Sequence, residues 1–253
     1  MMTTTHPDNR SLLIALYHEA VRAALPSVIL PAHLPPRPKG RFVIFAIGKA
    51  AAAMAAAAEA HYADGPLEGI ALTRHGHGLK TRYIEVIEAG HPVPDANGVK
   101  ATARIMAMAA SLGPDDFALV LISGGGSALA TMPIDGVTLE DKQRLTKVLL
   151  KSGAPIHDIN ILRKHLSRIK GGRLAAAIAP ARSLTLAISD VAGDDPAIIA
   201  SGPTVPDPST KEDALTILAR WKIEVPPKLI TALKAAPESP KPGDEFFLGT
   251  RYE

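Results

Sequence analysis

Ser123, Gly124, Gly125, Gly126 and Ser127 separate an almost wholly apolar run, 117–122, from apolar residues that resume at Ala128. Glycines at such a junction allow a tight turn and let a ligand approach bare backbone N–H groups. With a hydroxyl on each flank, the loop suits a phosphate or carboxylate; the other reading is a sharp strand-to-helix turn with no ligand. Its spacing is not that of GxGxxG, GxxxxGK(S/T) or GxSxG, so no standard nucleotide or hydrolase motif applies. Lys49 lies between RFVIFAIG and the alanine-rich AAAMAAAAEAHYA. A cation at a helix N-terminus opposes the helix dipole, so a bound phosphate is what would favour it there. An exposed lysine tolerated on a strong helix former is the alternative. His91 follows YIEVIE as a pocket candidate, or as a structural hydrogen-bonding group. Asp190, Asp194 and Asp195 follow SLTLAIS, where carboxylates are placed to hold Mg²⁺ bound to phosphates or to cap turns. Arg163 and Lys170 belong to the basic stretch DINILRKHLSRIK, which either reaches into an anionic cleft or forms a solvated face.

The elements that must position these residues follow from periodicity and punctuation. Apolar or alternating runs predict strands at 41–48, 67–73, 83–88, 117–122 and 183–189. Helices are predicted over 11–25, capped by Asn9 or Ser11, and through the alanine-rich run after Lys49. Asp95 should cap a helix running to about Ala110. Thr138 and Asp141 suit a capping box for 138–151. The segment 158–170 reads as a cationic helix, Arg173 opens another, and Ser209 or Thr210 should cap the one containing KEDALTILARWK. Residues 236–253 read as a closing loop or linker, or as the truncated start of a C-terminal part, after a domain spanning 1–235. In RHGHGLK, two histidines lack a third ligand, so a basic loop or solvated turn is expected. The alternation of strands and helices predicts a three-layer α/β/α sandwich with a largely parallel, Rossmann-like sheet. Ligands in such folds collect outside the carboxyl ends of strands. The glycine loop, Lys49, His91 and Asp190 all follow predicted strand ends.

Composition narrows the classes further. A chain of 253 residues that is 47% hydrophobic suits one large domain, or one domain and a fragment of a second. The absence of cysteine excludes disulfides, thiolate catalysis and cysteine–zinc sites. A formal charge of +3, without an RRM, KH, zinc-finger or basic-helix pattern, argues against nucleic acid as a partner. The N-terminal MMTTTHPDNR shows no secretory pattern and no apolar run is long enough to span a bilayer, so a cytoplasmic protein with no membrane contact is expected.

FAIGKAAAAM, GHPVPDANG, LISGGGSAL, LRKHLSRIKGGRLA and AISDVAGDDPAIIASGPTVPDPST together resemble the glycerate 2-kinase family, whose members carry a C-terminal MOFRL domain. Some members bear the older label hydroxypyruvate reductase. The resemblance covers about residues 10–245, and the combination of blocks is more specific than any one of them. It implies ATP- and Mg²⁺-dependent phosphorylation of D-glycerate at its 2-hydroxyl, in a cleft between two domains. It assigns Lys49 to the transferring phosphate or substrate as the catalytic residue. The glycine loop, Arg163 and Lys170 would bind substrate or phosphate, together with His91 by its place at a strand exit, and Asp190, Asp194 and Asp195 would hold the metal. A homodimer is compatible with it. The final KPGDEFFLGTRYE does not resemble the family continuation, so the MOFRL domain is expected to be missing and this chain alone to be nearly inactive. Two alternatives stand beside this reading: an NAD(P)H-dependent hydroxypyruvate reductase, which would require the missing GxGxxG and its acidic partner, and a non-catalytic ligand-binding domain.

Overall fold

The computed structural model describes residues 8–253. Most of the N-terminal stretch read for a targeting signal therefore lies outside the described residues. The strands are β1 Phe42–Ile47, β2 Glu68–Arg74, β3 Glu85–Ala89, β4 Phe117–Ser123, β5 Arg182–Ile188 and β6 Thr250–Tyr252. The longer helices are α1 Asn9–Ala23, α2 Ala51–His61, α3 Ala96–Ala109, α4 Leu139–Lys151, α5 Ile156–His165, α6 Arg173–Ile178, α7 Lys211–Arg220 and α8 Pro227–Ala235. The six strands form one sheet in the order β3-β2-β1-β4-β5-β6. Every neighbouring pair is parallel, with Ile44 opposite Leu119 and Phe45 opposite Val120 in the central pair.

Period-two alternation divides the sheet residues between two cores. Phe42, Ile44, Ala46, Leu119, Leu121, Leu184 and Leu186 pack on one side against Ala51, Met54, Ala55 and Ala58 of α2. Val43, Phe45, Ile47, Val120 and Ile122 pack on the other against α3 and α6, through Ala101, Ile105, Leu174 and Ile178. The predicted three-layer α/β/α sandwich is thus the observed architecture. Both faces of the sheet are covered, which is why its central strands are apolar without interruption. A third apolar cluster joins α4, α5, α7 and α8 through Leu145, Leu149, Leu162, Ile217 and Leu233. This helical group stands apart from the sheet cores and forms a second wall near the carboxyl ends of the strands.

Local capping chemistry follows the reading from sequence. Asp95 accepts the Gly98 N–H at 2.9 Å, and Thr138–Asp141 and Thr210–Asp213 form reciprocal capping boxes. Three elements differ. The cap of α1 is Asp8, ahead of both expected candidates, Asn9 and Ser11, and no residue of the helix is buried. The basic helix stops at His165, and the chain reaches Lys170 by turns that end in left-handed Gly171 and Gly172. Residues 250–252, read as linker, add an edge strand to β5, with Thr250 opposite Ser183. Three residues paired on one side leave too short a signal for periodicity to register.

Candidate active site at the strand ends

From β1 the chain winds outward through β2 and β3, then returns to β4 on the other side of β1. The helices after β1 and β4 leave on opposite faces, since α2 joins one core and Leu129 of the short helix Gly126–Leu129 joins the other. A crevice opens at such a reversal, outside the carboxyl ends of the strands. Gly48, Lys49 and Ala50 line one side of it, and Ser123, Gly124 and Gly125 the other. The Lys49 N–H donates to the Gly124 carbonyl at 2.8 Å, and the Ala50 N–H to Ser123 Oγ at 3.0 Å. Thr73 Oγ1 donates to the Lys49 carbonyl at 3.2 Å. The buried Ser123 hydroxyl therefore holds the turn that carries Lys49.

Two of the glycines are required by close approach. A Cβ on Gly124 would lie 1.9 Å from Asp190 Oδ2. Gly125 has φ +85°, and a Cβ there would lie 2.8 Å from His91 Nε2 and 3.0 Å from Lys49 Cγ. Bare backbone at these positions is what draws Lys49, His91 and Asp190 around one loop. Lys49 Nζ meets Asp190 Oδ2 at 3.1 Å, with both side chains about half exposed. Burial holds the His91 imidazole below its usual range; Lys49 and Arg74 push the same way, and Asp190 opposes them.

The facing wall comes from α4 and α5. Arg163 Nη1 donates to Asn160 Oδ1 at 3.2 Å, and Ser201 Oγ donates to the same oxygen at 3.3 Å. Ser201 and Ser127 share a hydroxyl hydrogen bond of 2.9 Å, which ties this wall to the glycine loop. Ala200 and Ser201 both have left-handed φ, 51° and 63°, at the cleft edge. Non-glycine residues in that region are strained, and such strain concentrates at functional sites. Lys142 projects from α4 on the face that also buries Leu145 and Leu149. Burial, with the nearby Arg163 charge, pushes its amine down to about 8. The cleft, open on one side, is about 370 Å³, and Asp190 is the one carboxylate among its lining residues.

The structure gathers Ser123, Gly124, Gly125, Gly126, Ser127, Lys49, His91, Arg163 and Asp190 at this crevice. Gly126 is buried, and a Cβ on it would lie 2.8 Å from Ala200 Cβ. Lys170 lies behind the wall, 1% exposed, with Nζ donating to the Ala130 carbonyl at 2.6 Å. Neither it nor Lys164 belongs to a solvated face: Lys164 is buried 3.3 Å from Asp207. The expected acidic cluster does not assemble. Asp195 accepts the Ala197 N–H at 2.8 Å and lines a neighbouring recess with Asp158 and Asp213, while Asp194 is exposed on a left-handed turn. Among the described residues, no group of three histidine or acidic side chains could hold a metal. Asp190 alone of the three is in the cleft. In the RHGHGLK loop, His75 Nε2 pairs with Asp95 Oδ2 at 3.0 Å, a structural use.

Lys142, Asn160 and Ser201 were absent from the residues singled out by motif. The signal for Lys142 was present: a lysine three and seven residues before Leu145 and Leu149, on the apolar stripe of a capped helix. Asn160 and Ser201 carry no local signal.

The family profile described as a domain of unknown function, DUF4147, matches residues 12–234. A protein of Agrobacterium vitis with the provisional name hydroxypyruvate reductase is 48% identical over 243 residues, covering 96% of this chain and 56% of the relative. The D-glycerate 2-kinase of Thermotoga maritima is 44% identical over 216 residues, covering 85% of this chain and 52% of the relative. The crystal structure of glycerate kinase from Thermotoga maritima superposes with a TM-score of 0.85 at 40% identity, over 96% of this chain and 57% of that one. The chain spans about half the length of the curated relatives it matches. On the profile match, the chain belongs to the DUF4147 family, and over that region it is similar to proteins named glycerate kinase and hydroxypyruvate reductase.

Proposed function

We propose that this chain forms one half of an ATP-dependent kinase that phosphorylates D-glycerate at its 2-hydroxyl. The observation that carries the reading is the meeting of Lys49, the glycine loop and Asp190 at the sheet reversal, opposite a wall bearing Lys142 and Arg163. Phosphoryl transfer demands little covalent chemistry from the protein; it needs in-line positioning and cations where charge develops.

Lys49 and the backbone at Gly124 and Gly125 would contact the phosphates. Asp190 would meet Mg²⁺, which commonly binds through one or two carboxylates together with substrate phosphates. Bound there, the ion neutralises charge on the phosphate oxygens. The residues fit that role, because Asp190 is a half-exposed cleft carboxylate whose one charged partner is Lys49, so it could hold a phosphate-bound cation without a closed protein ligand set. The part of the relatives' length that this chain does not match would supply the closing wall, and ATP-dependent chemistry of this kind goes with a cytoplasmic setting.

A nicotinamide-dependent reductase fits less well. In a dinucleotide fold the glycine fingerprint follows the first strand and an acid follows the second. Here the turn after β1 carries Lys49, and β2 ends in Arg74 with His75 following it. The test measures the reaction of ATP·Mg²⁺ with D-glycerate by phosphorus NMR, using this chain alone and with the C-terminal half of the Thermotoga maritima enzyme added in trans. Formation of 2-phosphoglycerate supports the reading. Oxidation of NAD(P)H with hydroxypyruvate, and no phosphorylated product from either sample, would overturn it.

A further inference from the structure

Lys142, Arg163 and Lys170 form a cluster of one sign. The Lys142 amine is buried and has no hydrogen-bond partner. Lys170 donates to a backbone carbonyl, and Arg163 to a neutral amide oxygen. The charges that act on Lys142 and Lys170 are cationic: Arg163 on both, and Lys142 on Lys170. Elsewhere in the same helical group, buried cations are paired. Lys164 faces Asp207 at 3.3 Å, and the carboxylate next to Lys142 in the chain, Asp141, turns away to Lys228 at 2.6 Å. Buried charges are ordinarily paired or neutralised, because losing water without a partner is costly. Lys142 and Arg163 both line the cleft, and the shielded Lys142 amine lies just behind its surface, so an anion seated there meets it after a small shift of the side chain.

We infer that Lys142 and Arg163, backed by Lys170, form an oxyanion subsite on the helical wall, and that it receives the carboxylate of the hydroxy-acid substrate. Assignment to the carboxylate rests on the kinase reading above. The transferring phosphate and the attacking hydroxyl must face one another in line. With phosphates against Lys49 and the glycine loop, the acid end of the acceptor is left to the opposite wall. Arg163 supplies a planar fork that matches a carboxylate, and Lys142 a point charge beside it. Asn160, already accepting from Arg163 and Ser201, fixes the orientation of the fork.

The experiment titrates D-glycerate, inorganic phosphate and ATP·Mg²⁺ into the chain by calorimetry. Lys142 is followed in parallel by NMR of ¹³Cε-labelled lysine, assigned with Lys142→Met. D-glycerate should raise the pH at which Lys142 titrates, since an anion favours the ammonium form. Lys142→Met and Arg163→Met should each weaken D-glycerate by at least about tenfold, as expected for loss of a charged hydrogen bond, while ATP·Mg²⁺ binds as in wild type. Arg163→Lys, which keeps the charge, should recover part of that loss. Melting curves establish that each variant is folded. If phosphate moves Lys142 and D-glycerate does not, the oxyanion subsite stands and its assignment to the acid substrate falls. If neither ligand moves Lys142, or Lys142→Met binds both as wild type does, the subsite itself is overturned.

Discussion

Lys49 Nζ and Asp190 Oδ2 stand 3.1 Å apart, although 141 residues separate them in the chain. They leave the ends of β1 and β5, and the backbone of Gly124 passes between those strands so closely that a Cβ would overlap the Asp190 carboxylate. The pair is half exposed, so its contribution to stability is small: exposed ion pairs supply about 0–1 kcal/mol.

Lys49→Ala should therefore leave Tm almost unchanged and weaken binding of ATP or phosphate. Calorimetric titration together with a melting curve checks both halves. A large drop in Tm with unaltered binding would make Lys49 a structural residue.

Substitution at the loop should behave differently. Gly125→Ala places a side chain at φ +85°, a conformation costing about 1–2 kcal/mol for an L-residue, and sets it against His91 and Lys49. Gly124→Ala must displace Asp190. Both should lose stability in denaturant unfolding and lose phosphate binding, with Gly124→Ala also moving Asp190 away from Lys49. Wild-type phosphate affinity in Gly124→Ala would show that the loop backbone is not where the anion sits.

Lys142 gives stability a pH dependence whose sign is fixed. Burial pushes it to about 8 in the folded chain, below the 10.5 of an ordinary lysine, so the unfolded chain binds more protons between those values. Stability in the absence of ligand should rise with pH across that window. Below it, both states are charged and the full penalty remains, roughly 3 kcal/mol. The neighbouring Arg163 acts in the same direction on Lys142, and Asp141 is engaged with Lys228. Lys142→Met should be more stable than wild type at pH 7 and show a flatter profile from pH 8 to 10. Urea unfolding at several pH values reads this directly, and a less stable Lys142→Met at pH 7 would contradict it.

Asp207 is the counter-case, a buried carboxylate with its partners in place. Ser209 Oγ donates to Oδ1 at 2.7 Å, Lys164 Nζ lies at 3.3 Å and His165 Nε2 lies 3.5 Å from Oδ2. Burial pushes its carboxyl up, yet the hydrogen bond from Ser209 and the Lys164 charge hold it below the usual range. Asp207→Ala leaves Lys164 buried without its anion, which should cost about 3–5 kcal/mol. Thermal or urea unfolding checks it; a change within the scatter of surface variants would mean that Lys164 reaches solvent.

Much of the frame was legible along the chain because its causes are local. The runs that became β1 and β4 are apolar almost throughout, as strands covered on both faces must be, and β5 keeps the same pattern through Leu184, Leu186 and Ile188. Asp95, Thr138 with Asp141, and Thr210 with Asp213 cap helices through bonds spanning three residues, which spacing alone discloses. The glycine loop, Lys49, His91 and Asp190 could be placed together because a parallel sheet delivers all its strand exits to one edge. Other features depend on long-range packing. Lys164, Arg168 and Lys170 look alike in a basic segment, but Lys164 pairs with Asp207, Arg168 with exposed Asp135, and Lys170 is sealed against Ala130. Asp194 and Asp195 neighbour each other in sequence, yet the left-handed turn at Asp194 and the bond that Asp195 accepts from the Ala197 N–H keep both out of the cleft lined by Asp190. The three residues of β6 pair only because β5 offers them an open edge. Local hydrogen bonds and periodicity are written over a few residues, whereas the partner of a buried charge is chosen by which distant segments the packing of two cores and a helical wall brings within a few ångströms.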